Sequence, residues 1–146
     1  MITRVDLAPD IAQVARAFAR KHRWRIIPEG KTAQHLLGLT EQVPAQYRYL
    51  TTGPNRTFQI MEISLCFIHR KTQHTAIDDN KAALLIQAIY SIGQGKLSNA
   101  QLEQLSKVFP RQDYPKIVRS TVSATAWVHD YIKQIAVQAS TRRQDR

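Results

Sequence analysis

The stretch from Lys21 to Thr52 sets the strongest limit on what this chain can fold into. A basic lead-in meets a short apolar run, Trp24 to Ile27, which Pro28 closes. Ala33, Leu36 and Leu37 follow at i, i+3 and i+4, the spacing of one helix face. Gly38 stands where a helix end takes a residue in the left-handed region. A polar connector with Pro44 leads to a second extended run, Tyr47 to Thr51. Strand, helix and strand within about thirty residues make one small α/β unit. The other segments add strands to it or helices that cover it.

The flanks supply those additions. Residues 7–21 predict a first helix, because Ile11, Val14, Ala15 and Phe18 form a single apolar stripe. Thr52-Gly53-Pro54-Asn55 is a dense turn signal. Phe58 and Ile60, then Ile63, Leu65 and Phe67, alternate with polar or small residues, so Arg56 to Arg70 predicts two strands. Met61-Glu62 is a poor tight-turn pair, which predicts a hairpin with an irregular turn. The segment from Arg70 to Asp78 has no period and reads as a loop. Asp78 or Asp79 caps a helix running to about Ile92, apolar nearly all round and so the most buried. Ser98 and Gln101 match a capping box, opening a short helix that carries Leu102, Leu105 and Phe109 and ends at Pro110. Residues 113–139 are helical again, with a break across the hydroxyl-rich run Ser120 to Thr125. The expected architecture is α+β, α/β-like at its centre, with a mixed sheet of about four strands packed against about five helices. Residues 1–139 form a single domain and 140–146 a flexible polar tail, since 146 residues suit one domain with its own core.

Charge gives the first pointer to function. The net charge is +10, from 21 basic and 11 acidic residues. Half of that excess falls between Arg16 and Lys31, where Arg16, Arg20, Lys21, Arg23, Arg25 and Lys31 meet only Glu29. A local basic face suits a polyanion or an acidic protein partner. Arg48 and Arg56 extend it, and Tyr47 and Tyr49 lie close enough to stack on bases unless they pack into a strand. No apolar run reaches membrane-spanning length, and the N-terminus lacks the apolar core of a secretory signal. The single cysteine, Cys66, excludes an internal disulfide, so a cytoplasmic location is expected.

Catalytic patterns are hard to assemble. Gly30-Lys31-Thr32 matches the end of a phosphate-binding loop, but the full pattern needs a glycine where Arg25 stands. The histidines, His22, His35, His69, His74 and His129, have no metal-ligand spacing, so neither a metal nor a cofactor is expected. Ser64 lacks the glycines of a nucleophile elbow, and the acidic residues are scattered. The chain reads as a non-catalytic binding domain.

A family resemblance points the same way. Val14-Ala15-Arg16-Ala17, Arg25-Ile26-Ile27-Pro28 with Gly30, Leu36-Leu37-Gly38-Leu39, Gln42-Val43-Pro44-Ala45 and Tyr49-Leu50-Thr51 carry it. Gly53-Pro54, Arg56-Thr57, Phe67, Ile86-Gln87-Ala88-Ile89 with Gly93, and Ala126-Trp127 complete the pattern. From Asp6 to Ile135 the chain resembles the C-terminal domain of AbiEi-type antitoxins, regulators of prokaryotic type IV toxin–antitoxin (abortive infection) systems. The resemblance implies a domain that neutralises a nucleotidyltransferase-like toxin. Relatives of that type carry a DNA-binding winged helix before the equivalent of Asp6. This chain has five residues there, so binding through a winged helix is not expected. Met61 replaces a turn glycine of the pattern. The expectation is an antitoxin-like regulatory domain; the alternative is a basic nucleic-acid-binding accessory or transcription-regulatory protein.

Overall fold

The computed structural model describes residues 10–70, 77 and 79–142. In order these form α1 (Ile11–His22), β1 (Ile26–Pro28), α2 (Lys31–Leu36), β2 (Gln46–Thr51), β3 (Arg56–Ile60) and β4 (Ile63–His69). Then come α3 (Asn80–Ile92), α4 (Asn99–Leu105), a 3₁₀ turn (Arg111–Asp113), α5 (Tyr114–Ser120) and α6 (Ala126–Ser140). The strands make one four-stranded sheet in the order β1-β2-β4-β3. β2 and β4 run parallel, and the outer pairs β1–β2 and β3–β4 are antiparallel. The mixed sheet with helices is the expected α+β class.

Alternation along β2 explains the layering. Tyr47 and Tyr49 turn to one face, where they join Leu65, Phe67, Ile11 and Ala15 of α1 in one apolar cluster. Leu50 turns to the other face and packs with Ile27 and Ala83 of α3. Successive strand residues point to opposite sides, so α1 and α3 must cover opposite faces of the sheet. Beyond α3 lies a helical core that includes Leu37, Leu85, Ile89, Leu105, Ile117, Ile132 and Ile135, each almost wholly buried. α3, read from the sequence as the most buried helix, connects the sheet to that core.

Helix ends follow local chemistry. The Asp10 carboxylate accepts from Gln13 N–H at 3.3 Å and fixes the start of α1, so any part of the expected helix before it lies outside the described residues. Asp79 caps α3, accepting from Lys81 and Ala82 N–H at 2.9 and 3.1 Å, and Asp78, the other expected cap, lies outside the described residues. The Ser98–Gln101 capping box is present. α4 stops at Leu105, short of Phe109. There the Tyr114 hydroxyl donates to Leu105 O and accepts from Phe109 N–H, which turns the chain back toward α5. The expected break falls between α5 and α6, where buried Thr121 donates to the carbonyls of Ile117 and Val118. The tail is held further than expected. α6 reaches Ser140, and Arg142 donates to Ser106 O at 2.8 Å and Phe109 O at 3.2 Å. Residues 71–76 of the expected loop and residues 143–146 lie outside the described residues.

The β3–β4 hairpin is tighter than its sequence indicates. Ile60 pairs with Ile63, leaving a two-residue turn. Exposed Met61 takes φ +56°, a conformation that favours glycine.

Gly53 answers a different demand. A Cβ built there would fall 2.3–2.5 Å from the Trp24 indole. The Gly53 N–H donates to Thr51 Oγ1 at 2.9 Å, and its carbonyl accepts from His69 Nδ1 at 2.8 Å, so the backbone is held in place beneath the ring. Gly53→Ala is therefore expected to destabilise the fold by about 1–3 kcal/mol, through the overpacking that a methyl group forces in a filled site. Urea unfolding monitored by tryptophan emission checks the loss, and a shifted native emission would locate it at Trp24.

Candidate functional site

The candidate site grows from the end of α1. Its apolar stripe faces the sheet, which leaves Arg16, Arg20 and Lys21 on the outer side, all exposed. The helix stops at Arg23, which takes φ +60° and ψ +36°. Arg23 N–H donates to Arg20 O and Trp24 N–H to Ala19 O, the paired bonds of a Schellman motif. Trp24 then folds back onto Phe18, with ring centroids 5.6 Å apart, the apolar contact that accompanies such an ending. His22 stacks on Trp24 at 4.8 Å and 22°. Arg20, Lys21 and Arg23 thus neighbour a stacked His–Trp pair along the chain at one helix end.

Arg56 joins this group from the sheet. It pairs in register with Phe67, so both lie on the α1 side, and Phe67 touches Phe18 and Trp24. Among the described residues, Arg16, Arg20, Lys21, Arg23 and Arg56 have no acidic partner.

The other expected residues stand elsewhere, and the continuous basic face is divided by the sheet. Arg25 reaches to the α3 side, where it donates to Ile77 O and, at 3.3 Å, to Asn80 Oδ1. Arg48 shares that side of β2 with Leu50 and donates through Nε to Glu29 at 3.0 Å. Lys31 is the exposed first residue of α2. The correction has a simple cause: alternate residues of an extended run face opposite ways, so closeness in sequence near Arg25 is not closeness on one surface.

Tyr47 and Tyr49 are strand-packing residues, 7% and 2% exposed beneath α1, and offer no face to a base. Burial pushes the Tyr49 phenol far above its ordinary value of 10.0; the Arg16 charge pulls it back, and Tyr47 and Asp10 add to the rise. Its hydroxyl has no hydrogen-bond partner among the described residues. Burial raises Tyr114 as well, opposed by its bond to Phe109. Cys66 and His69 fall on opposite faces of β4 by strand alternation, so they form no thiol–imidazole pair. His69 holds Gly53 instead. No cluster of metal-ligating side chains occurs among the described residues.

A groove on the α3 side takes in Lys31 and Arg48 of the basic set. Two cavities, of about 770 Å³ and about 550 Å³, share Glu29 and Gly30 in their walls. Lys31, Thr40, Gln42, Gln46 and Arg48 line the first; Arg70, Ile86, Tyr90 and Thr125 line the second. Gln34 Nε2 donates to Ser91 Oγ at 2.7 Å and ties α2 to α3 between them. Tyr90 is 61% exposed, an aromatic outside the buried stripe of its helix; that was its only mark in the sequence.

Comparison with known proteins gives a family but no function. The model of a family of unknown function, DUF6088, matches residues 4–117. No curated protein and no solved structure matches the chain.

The two buried tyrosines make opposed predictions. Tyr49→Phe removes an unpartnered hydroxyl and is expected to be neutral or stabilising by up to about 1 kcal/mol. Tyr114→Phe leaves Phe109 N–H and Leu105 O without their partner and is expected to cost about 1–3 kcal/mol. Both phenols titrate higher folded than unfolded, so above pH 10 the unfolded chain binds fewer protons and stability falls. Chemical denaturation from pH 8 to 11 should show that fall in the native chain, with a shallower slope in Tyr49→Phe.

Proposed function

Since the chain belongs to the DUF6088 family, whose function is unknown, we propose one from its own geometry: a non-catalytic recognition domain that binds nucleic acid through the α1 face. The observation that carries this reading is the end of α1, where Arg16, Arg20, Lys21 and Arg23 stand exposed with no acidic partner among the described residues. Cations at a helix C-terminus also offset the helix dipole, but that dipole amounts to only about half a negative charge. Arg20, Lys21 and Arg23 exceed it severalfold, so the helix end remains strongly positive. Arg23 adds a second argument. A side chain in the left-handed region costs roughly 1 kcal/mol relative to glycine there. Keeping a cation at that position is understandable if its charge is used. Exposed His22, stacked on Trp24, adds an aromatic ring to the same surface.

A second reading, an antitoxin-like regulatory domain acting on a nucleotidyltransferase-like toxin, rests on the sequence run from Arg25 to Thr51. One observation favours it. The segment Gln42-Val43-Pro44-Ala45, central to that resemblance, is not core: Val43 is 66% exposed. A segment that carries a family pattern while lying on the surface is suited to contact with a partner protein. Both readings place the chain among regulatory proteins, and both are consistent with the absence of any helix long and apolar enough to cross a membrane among the described residues.

Separate measurements test the two. The native chain should bind a labelled DNA duplex at low salt, with an affinity that falls by a slope of about 0.9 per phosphate contacted on a log–log plot. Charge reversal at Arg20 and Lys21 should weaken that binding by at least about tenfold, the order expected for contacts of this type. Arg23→Gly should raise stability by about 1 kcal/mol while lowering the salt slope by about one contact. A native chain that leaves the duplex free in dilute buffer would remove the first reading. For the second, co-expression with an adjacently encoded nucleotidyltransferase-like toxin should restore growth, and Val43→Asp should abolish the rescue. Continued growth arrest beside the native chain would count against it.

A further inference from the structure

We propose that the groove on the α3 side binds single-stranded nucleic acid, with Tyr90 as the platform on which a base stacks. This site is separate from the α1 face, which lies across the sheet, and it does not depend on that reading. Two requirements define a sequence-tolerant single-strand site: cations that follow the backbone and an aromatic face for the bases. The groove meets both. Lys31 and Arg48 line one cavity and Arg70 the other, and the two share Glu29 and Gly30 in their walls. Glu29 is the one acidic residue among those lining either cavity, and Arg48 Nε holds it at 3.0 Å. The groove therefore keeps an excess of positive charge.

Tyr90 supplies the aromatic face. It lines the smaller cavity while 61% exposed. Trp127 backs it at 5.9 Å and 17°, and Tyr131 meets Trp127 edge-on at 6.2 Å. One side of the phenol ring is thus held by a neighbour and the ring is set in orientation before any ligand arrives. That lowers the ordering cost of stacking a base on it. Around it the rim offers neutral hydrogen-bonding groups, Gln87, Ser123 and Thr125, suited to base edges of any sequence.

Gly30 lines both cavities. It takes φ +57°, and a Cβ there would meet nothing within 4 Å, so the space beside it is open. A duplex cannot use such a site, because its bases are already stacked and paired. An acidic peptide would engage the cations but leave the tyrosine face without a partner. Unpaired nucleotides use both.

Fluorescence anisotropy with a labelled oligothymidine at low salt tests the assignment. The native chain should bind it, Tyr90→Ala should weaken binding roughly tenfold, and Tyr90→Trp should retain it. Because Tyr90 is exposed, these variants should fold, which circular dichroism confirms. Lys31→Glu should weaken binding and reduce the salt slope by about one. The same Tyr90→Ala chain should bind duplex as the native chain does. Absent oligothymidine binding, or binding that Tyr90→Ala leaves unchanged, overturns the groove assignment and leaves the α1 reading to its own duplex measurement. Equal, Tyr90-dependent binding of polyglutamate would overturn it as well, since it would identify the site as a general acceptor of acidic chains.

Discussion

The burial of β2 on both faces is the constraint from which the rest of the molecule follows. Tyr49 and Leu50 are adjacent and 2% and 3% exposed, and they enter different apolar clusters. A strand buried on both sides must satisfy its backbone without water. β4 pairs with it from Gln46 to Thr51, and β1 pairs with it from Tyr49 to Thr51. The turn into α2 completes the set. Thr32 Oγ1 accepts from Arg48 N–H at 2.8 Å, and Glu29 N–H donates to Arg48 O at 2.9 Å. Satisfying one strand residue therefore docks α2, places Lys31 at the surface, and sets Glu29 within reach of the Arg48 side chain.

Much of the fold was legible because its signals are local. Alternation in Phe58–Ile60 and Ile63–Phe67, the Ser98–Gln101 box, and the hydroxyl-rich break after Ser120 each report the geometry of a few residues. What the sequence could not display depends on contacts that no local pattern marks. Nothing near Phe109 announces that Tyr114 will take Leu105 O and end α4 early. Nothing near Arg142 shows that it will reach back to Ser106 and Phe109. Met61 misled for a different reason: the ladder from Ile60 to Ile63 imposes a two-residue turn, and the residue accepts an unfavourable φ. Here strand pairing overrides turn preference.

The candidate site was legible to a lesser degree. The basic run was read as one surface because it is contiguous in sequence. The structure keeps its helical part together and sends Arg25 and Arg48 to the other side of the sheet, where each is engaged. A helix holds residues four apart on one face, whereas a strand separates neighbours. The boundary between α1 and β1 is thus also the boundary between two electrostatic surfaces. Of the groove, Lys31 and Arg48 were marked in the sequence, but the groove itself was not. Its residues come from the α2 turn, the start of β2, the end of β4, α3 and the α5–α6 break, and only packing brings them together.

Packing also decides what that groove can do. It lies where the sheet unit meets the helical core, and such junctions are places where rigid elements leave shaped space. Its walls are fixed independently: Arg48 by Thr32 and Glu29, α2 to α3 by the Gln34–Ser91 bond, Tyr90 by Trp127. A surface held at so many points loses little entropy when occupied, so modest contacts there translate into affinity more directly than contacts from a mobile loop. The α1 face is built differently, from long cationic side chains that gain strength mainly from charge and lose it to salt. One chain thereby combines a long-range electrostatic surface with a short-range shaped one on opposite sides of a single sheet. The two differ in physical basis, and a substitution that weakens one has no structural reason to disturb the other.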